Sequence, residues 1–288
     1  MEAVRVVPRA LSATSDPAPP STLQGSRIVI TGGCSGIGRS LALAFAKAGA
    51  HLMLIGRRIE PLDETAKMVR RLGVDAFTVS ADITSQAARQ DVISLAVRSL
   101  GQIDIFVNNA GGVRAGRIEE IDEADLLRIL DVNLIAPIML TREVVPFMRV
   151  RKSGLIVNIA SGIALVGIPF YATYAASKAG LARFGESLRR ELDGEGVRVL
   201  TVYPGGTDTP MMITSNVGPE LGFTRESPDA VAIAIIEAIL RGDRELTLGG
   251  SSQLELVTAN HYTPEIIDEL FHRLRRQLVV AVSDHHAL

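Results

Sequence analysis

The 288-residue chain has little cysteine: Cys34 stands alone, so no intramolecular disulfide can form and no thiolate cage can hold a metal. No metal site is expected, and a reducing, cytoplasmic setting fits. An excess of charge of either sign is also missing. Lys and Arg total 30 and Asp and Glu 32, for a formal net charge of -2. A near-neutral chain has no broad basic surface, so nucleic acid is not an expected partner. Long apolar runs are absent as well: the stretch Ala230 to Leu240 is interrupted by Glu237 and falls short of the ~18 residues that cross a bilayer. No membrane span is expected. The first residues lack the apolar core of a secretory signal. Residues 1–24 instead carry Pro8, Pro17, Pro19 and Pro20 among small polar residues, and are expected to form a flexible tail. Arg5 and Arg9 are compatible with an organelle-targeting leader, but Glu2 and Asp16 count against one.

Apolar material itself is plentiful. Hydrophobic residues make up 47% of the chain and charged residues 22%, enough to bury a sheet. From residue 27 onward, short apolar runs alternate with longer segments of helical period. The runs Arg27 to Thr31, His51 to Ile55, Asp75 to Val79, Ile103 to Val107, Leu155 to Ile159, Val197 to Val202 and Glu245 to Leu248 predict strands. Helices are predicted over about 36–48, 60–72, 84–99, 122–150, 172–193 and 228–240, with a last amphipathic one from Pro264 to Leu278. His272, Arg273, Arg275 and Arg276 give that helix a solvated face. Strand–helix–strand units with right-handed crossovers produce an α/β, doubly wound, seven-stranded parallel sheet, a Rossmann fold, in one domain over 25–288. Residues 208–226, with Pro210, Gly218, Pro219 and Gly222, lack periodicity and are long for a connection. They leave a strand on the ligand side and read as a substrate loop, with a disordered connector as the alternative.

The first strand runs straight into Thr31-Gly32-Gly33-Cys34-Ser35-Gly36-Ile37-Gly38, and a helix follows. Glycines at 32, 36 and 38 let the backbone approach a pyrophosphate, while the helix N-terminus offers free N–H groups and partial positive charge. Cys34 is either filler or a thiol made reactive by that terminus. The second strand ends in Arg57 and Arg58, where an acidic residue would bind the ribose hydroxyl of NAD. Two guanidinium groups suit a 2′-phosphate instead, so NADP (NADPH) is the expected cofactor. The alternative is that both arginines simply begin the next helix in solvent.

Tyr174 and Lys178 are four apart in a predicted helix and share a face. A free tyrosine has a pKa near ~10, and bringing it into the neutral range takes about 3–4 kcal/mol of favourable charge interaction. A buried ammonium together with an oxidised nicotinamide could supply this. Tyr171 has no such partner, because residue 175 is alanine. Ser161 follows the strand Ile156 to Ile159, where open α/β sheets present ligand groups, and its hydroxyl can donate to a developing oxyanion. Read structurally, Ser161 would be a turn residue before Gly162, and Asn133, a poor helix former inside the long fourth helix, would cap or bend it.

Together these residues resemble the short-chain dehydrogenase/reductase family, in its single-domain form, over about residues 25–250. Thr31 to Gly38 matches the TGxxxGxG loop, and Asn108-Asn109-Ala110-Gly111 matches the NNAG segment. Asn133, Ser161, Tyr174 and Lys178 match the catalytic tetrad. The resemblance implies that Tyr174 is the acid/base, that Ser161 orients the carbonyl and that Lys178 binds the nicotinamide ribose. Asn133 would hold a water in a proton relay. Asp82, followed by Ile83, would contact adenine; Asn109, Ala110 and Gly111 would lie along the adenosine ribose side. Pro204, Gly205, Thr207 and Thr209 belong to the segment that meets the carboxamide, with Thr207 where the family commonly has an aliphatic residue. The implied reaction is hydride transfer between NADP(H) and a small-molecule carbonyl or secondary alcohol. A cofactor-sensing binding protein without turnover is the alternative, against which the complete tetrad weighs. An epimerase or dehydratase would bring a larger substrate domain than the stretch after Gly250 allows. The resemblance further implies a homodimer or homotetramer, paired through the long fourth and fifth helices.

Overall fold

The computed structural model describes residues 18–218 and 225–288. Residues 1–17 of the expected tail, and 219–224 of the expected substrate loop, lie outside the described residues. The chain runs β1 (Arg27–Thr31), α1 (Gly36–Lys47), β2 (His51–Gly56), α2 (Ile59–Arg70), β3 (Ala76–Ser80), α3 (Gln86–Leu100), β4 (Ile105–Asn108) and a short β5 (Val113–Arg114). Then come α4 (Glu123–Leu130), α5 (Ala136–Arg151), β6 (Gly154–Ile159), α6 (Ala172–Glu191), β7 (Val197–Tyr203) and β8 (Gly206–Thr207). Last are β9 (Arg225–Glu226), α7 (Pro228–Arg241), β10 (Glu245–Thr247), α8 (Gly250–Tyr262), α9 (Pro264–Ala281) and β11 (His286–Ala287).

Seven strands form one sheet in the order β10-β7-β6-β4-β1-β2-β3, paired in parallel throughout. The chain winds outward from β1 through β2 to β3, then returns to the other side of β1 as β4. This reversal opens a crevice beyond the carboxyl ends of β1 and β4, where doubly wound folds bind ligands. Period-two alternation builds the two halves of the core. Ile28, Ile30, Leu52 and Leu54 face Leu41 and Phe45 of α1 and Ile235 of α7. Val29, Met53, Phe106 and Ile156 face Ile93 of α3 and Leu140 and Val144 of α5. Leu23, inside the expected tail, is buried in the first of these layers.

The helix predicted over 122–150 is interrupted. Asp131–Ile135 forms a π turn between α4 and α5. Pro137 has no N–H to give the carbonyl four residues back, that of Asn133, so regular α-helical bonding fails there. Helix α8 has no counterpart among the sequence expectations. Its Gly-Gly-Ser-Ser start, Val257, Thr258 and Asn260 carry little helix propensity or period. Of the loop at 208–226, Arg225 and Glu226 pair with Gly206 and Thr207 as a small parallel ribbon. Among the described residues, no helix is long and apolar enough to cross a membrane.

Phe106 has no exposed surface and fills the layer between the sheet and α3 and α5. Phe106→Ala is expected to lower stability by about 3–5 kcal/mol in denaturant unfolding; a loss under 1 kcal/mol would mean that this layer collapses to refill the cavity.

Candidate active site

The glycine-rich loop after β1 is shaped by contacts that exclude side chains. Gly32 and Gly36 have φ values of +69° and +51°, in the left-handed region that favours glycine. A Cβ on Gly38 would come within 2.1 Å of the Gly32 carbonyl oxygen and 2.5 Å of Asn109 Nδ2. Ser35 precedes α1 without a side-chain capping bond, and the first turn holds no acidic residue. The first N–H groups of α1 therefore meet the cleft with their partial positive charge uncompensated, as an anion such as a pyrophosphate requires. The cradle fits that group.

At the end of β2, Arg57 and Arg58 are exposed. Arg58 Nη2 lies 3.7 Å from Cys34 Sγ. Asp82 accepts from the backbone N–H of Thr84 at 3.0 Å and from its hydroxyl at 2.7 Å. The backbone bond is the main reason that its carboxyl sits below the ordinary range, assisted by that hydroxyl and by the charges of Arg57 and Arg128. Guanidinium groups and an ionised carboxylate thus share this end of the cleft.

At the other end, α6 presents Tyr174 and Lys178 one turn apart. Lys178 Nζ donates to the Ile159 carbonyl at the end of β6 (2.9 Å) and stands 5.9 Å from the centre of the Tyr174 ring. The Ser161 hydroxyl accepts from the Ile163 N–H at 3.4 Å and lines the same cleft as Tyr174. Burial pushes Lys178 down to about 8. Burial also pushes Tyr174 up, against the smaller opposing effect of Ser161. Among the protein's own groups desolvation prevails at the tyrosine, whereas the sequence expectation joined the ammonium to an oxidised nicotinamide.

One cleft of about 570 Å³ gathers these groups, and every site residue expected from the sequence lines it except Asn133. Asn133 is fully buried behind it. Its Oδ1 accepts from the Gly112 N–H and its Nδ2 donates to the Gly112 carbonyl, both at 2.9 Å, with Ser177 Oγ a further acceptor at 3.2 Å. Asn109 also has a structural task, since its Nδ2 donates to the carbonyls of Thr31 (2.9 Å) and Gly32 (3.2 Å). Thr207 is buried, its hydroxyl donating to the Gly205 carbonyl at 3.2 Å. Arg128, Gln253, Phe271, Leu278, His285 and Leu288 line the cleft without having been expected there. No local pattern marks them; they arrive from α4, α8, α9 and the segment after α9 through tertiary packing alone.

Residues 26–219 match the family model for short chain dehydrogenase. The chain belongs to the short-chain dehydrogenase family. A ketoacyl reductase, HetN, of Nostoc sp. is 31% identical over 257 residues, which are 87% of this chain and 90% of that protein. A short chain dehydrogenase of Pseudocercospora fijiensis is 38% identical over 191 residues, which are 66% of this chain but 62% of the relative's length. The 3-oxoacyl-(acyl-carrier-protein) reductase of Thermotoga maritima is 35% identical over 189 residues, 66% of this chain and 77% of that one. Among solved structures, an alcohol dehydrogenase from the archaeon Thermococcus sibiricus, complexed with 5-hydroxy-NADP, shares the fold with a TM-score of 0.72. It is 24% identical, and the match covers 80% of this chain and 98% of that one.

In this short-chain dehydrogenase, burying Lys178 works against stability. Its folded pKa lies below the ordinary 10.5, so below about pH 8 the folded state carries a desolvated charge. That penalty fades as pH rises from about 8 to 10.5, where the unfolded chain holds the extra proton. Lys178→Met is expected to stabilise the protein at pH 7 by up to about 3 kcal/mol, with the gain shrinking toward pH 10.5. Denaturant unfolding at both pH values checks this, and a destabilised variant at pH 7 would show that the bond to Ile159 outweighs the desolvation.

Proposed function

We propose that the chain is an NADP(H)-dependent oxidoreductase that interconverts a carbonyl compound and a secondary alcohol, with Tyr174 as the acid/base. One observation carries this reading: Tyr174, in one cleft with Ser161 and one turn from an anchored Lys178, sits where the cleft lined by the glycine loop runs into an apolar cluster.

The first turn of α1 and its glycines would hold the pyrophosphate, and Arg57 and Arg58 a 2′-phosphate. The absence of an acid at the end of β2 supports NADP over NAD. Nicotinamide, when bound, supplies the hydride or its acceptor and, in its oxidised form, a positive charge. Ser161 donates to the substrate oxygen, and Tyr174 gives it a proton in reduction or takes one in oxidation. Lys178 has one N–H fixed on Ile159, leaving its others to face ribose hydroxyls and the phenol. Asn133 clamps Gly112 from both sides, which positions the turn opposite Tyr174. Because its side chain is fully engaged, a relay water would be held by its main-chain carbonyl, the one that Pro137 leaves without an α-helical donor.

Tyr174→Phe is expected to lower NADPH-dependent carbonyl reduction at least a hundredfold while cofactor affinity stays within about threefold, the loss typical of a removed general acid. Arg57→Ala is expected to weaken NADPH at least tenfold in a fluorescence titration and leave NADH unchanged. Turnover retained by the phenylalanine variant would remove Tyr174 from its role, and equal weakening of both cofactors would remove the phosphate-reading one from Arg57.

A further inference from the structure

Beyond Tyr174 the cleft changes in the character of its lining. It runs into a separate apolar cluster assembled from distant parts of the chain: Val113 from β5, Val166 after β6, Leu256 from α8, and Phe271 and Leu278 from α9. Leu288, which follows β11, closes one side and would meet a Cβ on Gly112 at 3.0 Å. Val113, Val166, Leu256, Phe271 and Leu278 each both belong to the packed cluster and face the cavity.

The polar groups in this wall already satisfy one another. His285 Nε2 lies 2.9 Å from the Met211 carbonyl, which can only accept, so Nε2 carries the hydrogen and Nδ1 is an acceptor. The Tyr171 hydroxyl, 2.7 Å away, therefore donates to Nδ1. Ser215 Oγ accepts from the Val217 N–H at 3.4 Å. Burial holds both groups neutral, pushing His285 down and Tyr171 up to about 12. The cations nearby are turned elsewhere. Arg225 donates to the carbonyls of Ser215 and Val217, both at 2.9 Å, and pairs with Asp208. Lys178 is held on Ile159. Among the described residues, no other charged side chain lines this half of the cleft.

We infer that this half of the cleft is a binding site for an uncharged, mainly hydrocarbon ketone or secondary alcohol, its oxygen at Tyr174 and its apolar body against Val113, Val166, Leu256, Phe271, Leu278 and Leu288. This deepens the oxidoreductase reading and rests on it for the position of the oxygen. A neutral apolar cavity takes up hydrocarbon readily, whereas a carboxylate or phosphate at the far end of the substrate would be stripped of water with no cation to meet it. Tyr171 and His285 act as positioning residues: they join the turn before α6, the 208–217 loop and the segment after α9 into one wall. The selectivity follows from what the wall omits.

Two ligands of equal length separate the possibilities: 2-nonanone, and 8-oxononanoate, which is the same methyl ketone with a carboxylate at the far end. Calorimetric titration of the full chain in excess NADP+, a pairing with no reaction to run, reads binding without turnover. 2-Nonanone is expected to bind at least tenfold more tightly than 8-oxononanoate. Leu288→Lys and Leu256→Lys, both at half-buried positions, place a cation in the wall and are expected to shift that ratio at least tenfold toward the keto acid. Circular dichroism verifies that both variants are folded. Equal affinities, stronger binding of 8-oxononanoate, no binding of 2-nonanone, or a ratio unmoved in both folded variants would each overturn the inference. Selective binding of 2-nonanone without its NADPH-dependent reduction would leave the pocket standing and count instead against the oxidoreductase reading.

Discussion

A single hydroxyl joins the two strands on which the cleft depends. Thr31 Oγ1, at the end of β1, donates to the Val107 carbonyl of β4 at 3.2 Å and accepts from the N–H groups of Asn109 and Ala110, both at 3.0 Å. Asn109 returns the contact through its side chain to the carbonyls of Thr31 and Gly32. The crevice at the point of strand reversal is thereby fixed in shape by hydrogen bonds in a buried setting, where an unmet polar group is costly. The glycine loop is pulled against Asn109 so closely that Gly38 has no room for a side chain. From this clasp the glycine loop extends to one side and the Gly111–Gly112 turn to the other, where Asn133 takes hold of it.

A second constraint is the burial of Lys178. The fold places an ammonium where water is scarce and gives it one carbonyl, that of Ile159, as a fixed partner. The same desolvation acts on Tyr174, so the two groups meet in their neutral forms more readily than either would in water. Such a site has little stability of its own and depends on the sheet layers above and below it. Reactivity is held in place by Val29, Phe106 and Ile156 on one face and Ile28, Ile30 and Leu54 on the other.

Much of this was legible in the sequence because it is local. Short apolar runs such as Arg27–Thr31, the glycine spacing at 32, 36 and 38, and the Tyr174–Lys178 turn each declare themselves within a few residues. Asn133 stood out as a poor helix former, but the break that its neighbour Pro137 permits was absorbed into one long helix. Helix α8 escaped notice because its packing against α9 and the loops, and not its period, makes it helical. The far wall was hidden for another reason. Val113, Tyr171 and His285 carry no motif, and their meeting depends on where α9 ends. The desolvation of the half-buried Tyr174 was equally invisible, so the direction of its pKa could not be read from spacing.

The Tyr171–His285 contact joins residues 114 positions apart, and this separation bears on biosynthesis. On the ribosome, the sheet through β7 can be complete while α9 is still unmade. During that interval Val113, Val166 and Tyr171 lack their cover and present a greasy surface to the surroundings. A nascent chain arrested before α9 would thus have a nearly finished sheet with an open hydrophobic flank, the kind of species that chaperones retain and that self-associates when they do not.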